Sequence, residues 1–276
     1  MKVIEKFLKG KLDKEELCED GICVTPDFIA VIDGVSSQSK FKYEDKKLGR
    51  IIRDILLEAI PKLDNKFDCY QSIDFLNEYI IECYKSLNIF DKISEDPADQ
   101  PSASVIIYSK YHNQIWLIGD CMALYGEDIL ENNLEVDKLY AKIRQMTIEY
   151  FLETGYTEDE LLEEDIASKF VQNLSKRQPY IRNKVYNSKY DYAVIDGFNK
   201  PDKNLIQCID VPSSVNEIVF VSDGYRKPFK TLKESEEYLQ HIKKVDPLCY
   251  KEFAYEKAFR KNQDSYDDRA YIRFEI

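Results

Sequence analysis

Two short apolar runs, Ile22-Cys23-Val24 and Phe28-Ile29-Ala30-Val31-Ile32, flank Thr25-Pro26-Asp27 and set the most restrictive local geometry in the chain. Apolar residues on either side of a proline-marked turn read as a β-hairpin. A turn centred on Pro26-Asp27 puts Asp20 opposite Asp33 at the open end of that hairpin. Cβ atoms of facing residues lie about 4.5–5.5 Å apart in such a pair. Two carboxylates so close repel each other unless something positive stands between them.

The same arrangement recurs further on. Ile115-Trp116-Leu117-Ile118-Gly119-Asp120 and Ile218-Val219-Phe220-Val221-Ser222-Asp223-Gly224 are apolar runs that end in aspartate, and Asp267-Asp268 immediately precedes a last apolar run. Each aspartate sits at a strand terminus, where antiparallel strands can bring one strand's end beside the next one's start. Clustered carboxylates suit Mg²⁺ or Mn²⁺ better than zinc, and the chain has only two histidines. Two such ions about 3.5–4 Å apart can activate water and polarise a phosphoryl oxygen. Glycine after Asp33 and after Asp223 would let the backbone turn and a carbonyl approach an ion.

Each motif also has a plain reading. A lone Asp-Gly after a strand is a turn signal, and Asp196-Gly197, which lacks a partner motif, is read as a turn. Asp120 alone could be a bulge, and Asp267-Asp268 alone could solvate a loop. The acidic run 158–165 reads as a solvated helical face, His112 and His241 as surface residues, and Trp116 as core.

Helical spacing predicts helices over 44–60, ended by Pro61, and over 71–88; a polar loop over 94–101 follows. Strands are expected over 104–108, 114–118 and 122–125, a long helical region over 135–176, then strands over 192–195, 205–209 and 217–221. Helices over 232–243 and 248–261 precede a final strand over 269–275. Strands come in antiparallel groups and helices in pairs, which predicts an α+β layered sandwich rather than a parallel sheet. Residues 1–276 are taken as one domain. The formal net charge of −12 opposes binding to a phosphate backbone, so no nucleic-acid partner is expected. Seven scattered cysteines without a C-x-x-C pair read as reduced thiols. No apolar run approaches a membrane span, and Met1 to Lys6 lacks a signal peptide's apolar stretch, so a soluble, cytoplasmic protein with no membrane partner is expected.

Taken in order, Glu19-Asp20, Val31-Ile32-Asp33-Gly34, Pro101-Ser102-Ala103-Ser104-Val105, Ile118-Gly119-Asp120-Cys121-Met122-Ala123, Val221-Ser222-Asp223-Gly224 and Ser265-Tyr266-Asp267-Asp268-Arg269-Ala270 resemble the metal-dependent type 2C protein phosphatase family in its compact bacterial form. The match spans nearly the whole chain. The resemblance implies a four-layer α-β-β-α sandwich of two antiparallel sheets flanked by helix pairs. It implies a signalling hydrolase that cleaves phosphoserine and phosphothreonine in a phosphorylated protein substrate, through a hydroxide bridging two Mn²⁺ or Mg²⁺ ions.

Carried over by position, Asp33 would bridge both metals, the Gly34 carbonyl would bind the first, and Asp223 would be a further ligand at the shared site. Asp20 and Asp267 would hold the second metal, partly through waters. Glu19 would orient a metal-bound water, and Asp120 matches the position of a third, weaker ion. The family usually has Asn where this chain has Asp268. Two departures stand out: Val35-Ser36-Ser37 replaces the His-Gly-Gly of eukaryotic members, and the phosphate-binding Arg has no match, Lys14 being the nearest basic residue beside Glu15-Glu16. The region 135–176 falls where the family carries its variable flap. The expected cluster has no cationic side chain near enough to stand in for the ions. A non-catalytic regulatory binding module and a phosphatase of small phosphate esters are the competing readings.

Overall fold

The hairpin of residues 20–34 has the expected register, with Asp20 facing Asp33 and Ile22 facing Val31. Its turn is closed by Thr25, whose amide donates to the Phe28 carbonyl at 2.8 Å and whose Oγ1 accepts the Phe28 amide at 2.8 Å. The structure is a computed structural model and describes residues 1–12, 14–37, 39–132, 134–261 and 263–276. In chain order the strands are β1 (Lys2–Lys9), β2 (Asp20–Val24), β3 (Phe28–Gly34), β4 (Ala103–Ser109), β5 (Gln114–Ile118), β6 (Met122–Tyr125), β7 (Asp128–Leu130), β8 (Gln207–Asp210), β9 (Glu217–Val221) and β10 (Arg269–Glu275). The helices are α1 (Leu48–Ala59), α2 (Cys69–Ser86), α3 (Phe90–Ser94), α4 (Glu135–Glu153), α5 (Glu158–Glu163), α6 (Ile166–Ser175) and α7 (Leu232–Val245).

The strands form two antiparallel five-stranded sheets, ordered β2-β3-β4-β5-β8 and β1-β10-β9-β6-β7. Successive residues of β3 point to opposite faces, and both faces are apolar because both are covered. Ile29 and Val31 pack with Ile106 and Leu117 against Phe220, Ile272 and Phe274 of the second sheet, which makes the central core. Ala30, Ile32, Ile107 and Trp116 instead face Ile52, Leu56, Leu76 and Ile80 of α1 and α2. Each fully buried side chain of this size stabilises by about 1.5–3 kcal/mol, so this helix layer holds the hairpin firmly in place. The N-terminus of α2 is fixed by a capping box, Asp68 accepting the Gln71 amide and Gln71 accepting the Asp68 amide.

One strand was not expected from the sequence, and three local expectations are corrected. β1 carries no clean alternation, because Leu8 joins the central core while Phe7 packs on the outer face of the second sheet. Residues 192–195 make no strand; Ile195 forms one bridge to Ala103, and Asn183 holds the neighbouring backbone, its amide donating to the Tyr192 carbonyl and its side chain accepting the Val194 amide at 2.8 Å. The helical region over 135–176 is three helices, and its acidic stretch is not simply solvated: Asp165 caps α6 and pairs with the buried Arg144 at 2.7 Å. Residues 248–261 are irregular rather than helical. The Asp246 carboxylate accepts the amides of Tyr250, Lys251 and Phe253, and those amides are then lost to a helical ladder. On the outer face of the second sheet Leu232 of α7 packs with Phe7, Val219, Val221 and Tyr271, and in place of a second helix this strap packs on α7, with Phe259 and the following Tyr266 against Leu239 and Ile242.

Asp196 lies at a turn, as expected, but it is fully buried. Its Oδ2 accepts from Arg182 Nε at 3.0 Å, and its Oδ1 accepts the amides of Phe198 and Asn199. Removing one partner of such a pair leaves a buried charge unmatched, so Asp196→Ala is expected to destabilise by about 3–5 kcal/mol in a denaturant titration. Unchanged stability would show that Arg182 has another route to neutralisation.

Candidate metal centre

The ends of three strands and the starts of two meet at a single corner. Glu19 and Asp20 open β2, Asp33 and Gly34 close β3, Asp120 follows β5, Asp223 follows β9, and Asp267 and Asp268 precede β10. β9 and β10 are antiparallel neighbours, which brings Asp223 near Asp267 and Asp268. Ser222 ties the sheets together there: its Oγ donates to Asp20 Oδ2 at 2.6 Å and accepts the Ala270 amide at 2.8 Å. Asp268 does the same for the β1–β2 connection, accepting the Lys11 amide at 2.9 Å and the Glu19 amide at 2.7 Å. Both carboxylate oxygens of Asp268 are thus engaged with backbone amides.

Gly34 and Gly224 are required by close approach rather than by a special backbone angle. A Cβ on Gly34 would stand 2.3 Å from the Gly49 carbonyl oxygen, and one on Gly224 would stand 2.0 Å from the Asp268 carbonyl oxygen. The first glycine lets α1 abut the end of β3, and the second lets β9 run into the start of β10.

The electrostatics are those of crowded like charge. Burial, followed by the charges of Asp223, Asp20 and Asp120, pushes the Asp33 carboxyl well above its ordinary value of 3.8. Burial and the neighbouring Asp268 do the same to Asp20. Asp120 is raised by burial and by Asp223, and its Oδ1 accepts from Ser104 Oγ at 2.6 Å. Asp223 Oδ1 and Glu19 Oε1 are buried without a hydrogen-bond partner. The other Glu19 oxygen accepts from Ser36 Oγ at 2.5 Å.

Two lysines overturn the expectation of a cluster without cations. Lys257 Nζ lies 2.5 Å from Asp223 Oδ2 and also pairs with Asp267. Lys11 Nζ lies 2.6 Å from Asp267 Oδ1 and 3.3 Å from Ser36 Oγ. Burial pushes the Asp267 carboxyl up, but Lys11 and Lys257 outweigh it and hold that group below its ordinary value. Lys11, not Lys14, is the basic side chain of the β1–β2 connection that reaches the corner. With the side chains so engaged, no group of three or more His, Cys, Asp or Glu among the described residues stands arranged to hold a metal ion. The donor set is nevertheless of the right chemistry. Asp20, Asp33 and Asp223 crowd one corner, and a buried Asp223 oxygen lacks a partner, which a hard divalent cation would satisfy.

Sequence reasoning also missed Asp137 of α4 and Glu256 of the strap. Burial and Glu256 push Asp137 up to about 9, and burial takes Glu256 up to about 7 against the attraction of Lys257. Asp137 lies close enough to feel the charges of Asp120 and Asp223, and Glu256 close enough to feel that of Asp223. His112, at 3.2 Å from the Lys66 carbonyl, and the exposed His241 lie outside the corner, and Trp116 is core, as expected. A cleft of about 180 Å³ begins beside Asp120, lined by Gly119, Asn132, Glu135, Lys189 and Gln207.

No family model and no curated protein matches the sequence. The structure is similar over nearly its full length to solved serine/threonine phosphatases at low identity. One is PstP/Ppp of Mycobacterium tuberculosis, at 12% identity over 98% of this chain and 96% of that one, with a TM-score of 0.45. Another is Stp1 of Staphylococcus aureus, at 11% identity over 100% of this chain and 95% of that one, with a TM-score of 0.49. RsbX in complex with magnesium is also similar, at 11% identity over 98% and 92% and a TM-score of 0.44.

Because the folded carboxyl of Asp33 holds its proton above 3.8, the folded chain binds more protons than the unfolded one as pH rises through that window, and loses stability. Asp33→Asn removes this cost. Metal-free Asp33→Asn should therefore melt a few degrees higher than the parent at about pH 8, with no difference at about pH 4. A difference that persists unchanged at acid pH would contradict the repulsion.

Proposed function

We propose that the chain is a metal-dependent phosphomonoester hydrolase that acts on phosphoserine and phosphothreonine in proteins, with Mn²⁺ or Mg²⁺ as its cofactor. The observation that carries this reading is the facing pair Asp20 and Asp33 with Asp223 beside them, a concentration of buried negative charge that costs stability unless a divalent cation neutralises it. Asp33, Asp223 and the Gly34 carbonyl would hold the shared ion, Asp20 and Asp267 a second, and Asp120 a third. When bound, such ions lower the pKa of water and draw charge from a phosphoryl group.

The protein's own groups have distinct parts. Glu19 keeps one buried oxygen free of protein partners, fixed by the Ser36 bond to the other, and that oxygen is placed to accept from a water and orient it. Lys11 brings an ammonium to the site's edge, where it can meet a phosphate oxygen in the absence of an arginine. Asp20 is kept in orientation by Ser222 rather than by charge. The start of α4 lines the cleft at Gly119 through Glu135, and the region α4 to α6 is the part of the surface fitted to select a protein substrate. No described helix is long and apolar enough to cross a membrane.

The regulatory-module reading draws on one observation, that Lys257 and Lys11 already pair with Asp223 and Asp267. Hydrolysis of an aryl phosphate and of a phosphothreonine peptide separates the two. The enzyme reading predicts turnover that requires added Mn²⁺ or Mg²⁺ and stops in excess chelator. Asp33→Asn and Asp223→Asn should each reduce it by about 100-fold or more. Equal rates with and without chelator, or a parent-like rate in either variant, would reject the assignment.

A further inference from the structure

We propose that Lys257 is this chain's built-in counter-cation for the carboxylate corner, and that a divalent ion loads by displacing it. The inference rests on the metal-dependent reading above and adds a regulation of that same site. Lys257 bridges two carboxylates that the metal reading needs, Asp223 and Asp267, and a third, Glu256, stands 3.7 Å away. An ammonium and a divalent ion cannot both occupy the space between those oxygens. On the far side of Asp223, Oδ1 remains buried and unpartnered, so the Lys257 ammonium leaves that oxygen without a counter-charge. That imbalance is what would let a doubly charged ion prevail.

The position of Lys257 is built, not left to a free side chain. It lies on the strap of residues 248–261, which Asp246 folds at one end through three backbone amides. Tyr255 and Phe259, two residues to either side, pack edge-on against Tyr266, the neighbour of Asp267. The Tyr255 hydroxyl also lies 3.3 Å from Asp223 Oδ2, and the Arg226 guanidinium stacks 3.8 Å from the Tyr255 ring. The strap is in turn tied to the helical region expected to act as a flap. The Lys261 amide donates to the Leu162 carbonyl, Lys251 pairs with Glu158 at 2.8 Å, and Leu248 and Tyr250 pack with Ile148 and Leu161. A partner that shifts α5 would therefore shift the lysine, which links what binds the flap to how readily the site takes metal.

Calorimetric titration of the metal-free protein with Mn²⁺ and its melting temperature without metal test this together. A latch closed about nine-tenths of the time raises the apparent Kd about tenfold, so Lys257→Met should bind Mn²⁺ about tenfold more tightly than the parent. Without metal it should melt lower, because the carboxylates have lost a counter-charge, while Lys257→Arg stays close to the parent in both. If parent and Lys257→Met bind Mn²⁺ equally, or Lys257→Met binds it more weakly, displacement is wrong while the metal-dependent reading stands. If neither binds Mn²⁺, both fall. A measurement on the unaltered chain covers a variant that does not fold: acylation of Lys257 by an amine reagent, read by mass spectrometry, should rise severalfold on saturation with Mn²⁺, while the exposed Lys233 stays constant. Unchanged labelling of Lys257 at saturation would overturn the proposal.

Discussion

Mutual repulsion among carboxylates at one corner of two packed sheets is the constraint from which the rest of this structure can be read. Asp20 and Asp33 face each other because a hairpin's register leaves them no choice, and Asp223 and Asp267 arrive beside them because β9 and β10 are antiparallel neighbours. The scaffold resists that repulsion with apolar burial on both faces of the first sheet and with polar ties that run between the sheets. Ser222 and Asp268 are the main ties. Each spends a side chain on holding the strand ends in place rather than on chemistry.

The corner is also where the protein supplies positive charge of its own. Lys257 and Lys11 come from segments without regular structure, the strap before β10 and the connection after β1. Such segments can be placed by a few hydrogen bonds and ring contacts, and they change position at lower cost than a strand in the middle of a sheet. The distribution of charge thus follows the distribution of rigidity. Carboxylates sit on strand ends fixed by the core, while the cations that pair with them sit on irregular segments.

What the sequence disclosed and what it hid follows the same division. The pairing of Asp20 with Asp33 was legible because a hairpin is local and its turn sets its register. The recurrence of aspartate after β5 and β9 was legible because a short apolar run ending in a turn residue reads the same in any context. β1 was hidden because Phe7 and Leu8 serve opposite faces, and the strap was misread as a helix because its apolar spacing suited one while Asp246 captured its amides. Lys257 left no sign at all. Its partner Asp223 is distant in sequence, and nothing local distinguishes it from a surface lysine. The hydrogen bonds of Asp268 to two backbone amides were hidden too, because they depend on where β1 ends, and β1 was not foreseen.

On the proposed reading the carboxylate corner is built for divalent metal, and Lys257 stands where an ion would go. Crystals of the protein grown with Mn²⁺ and measured at the manganese absorption edge test it most directly. Anomalous density is expected between Asp33 and Asp223, with the Lys257 ammonium withdrawn from Asp223 and Asp267. A corner without anomalous density at saturating Mn²⁺, with Lys257 still bridging the two carboxylates, would contradict it.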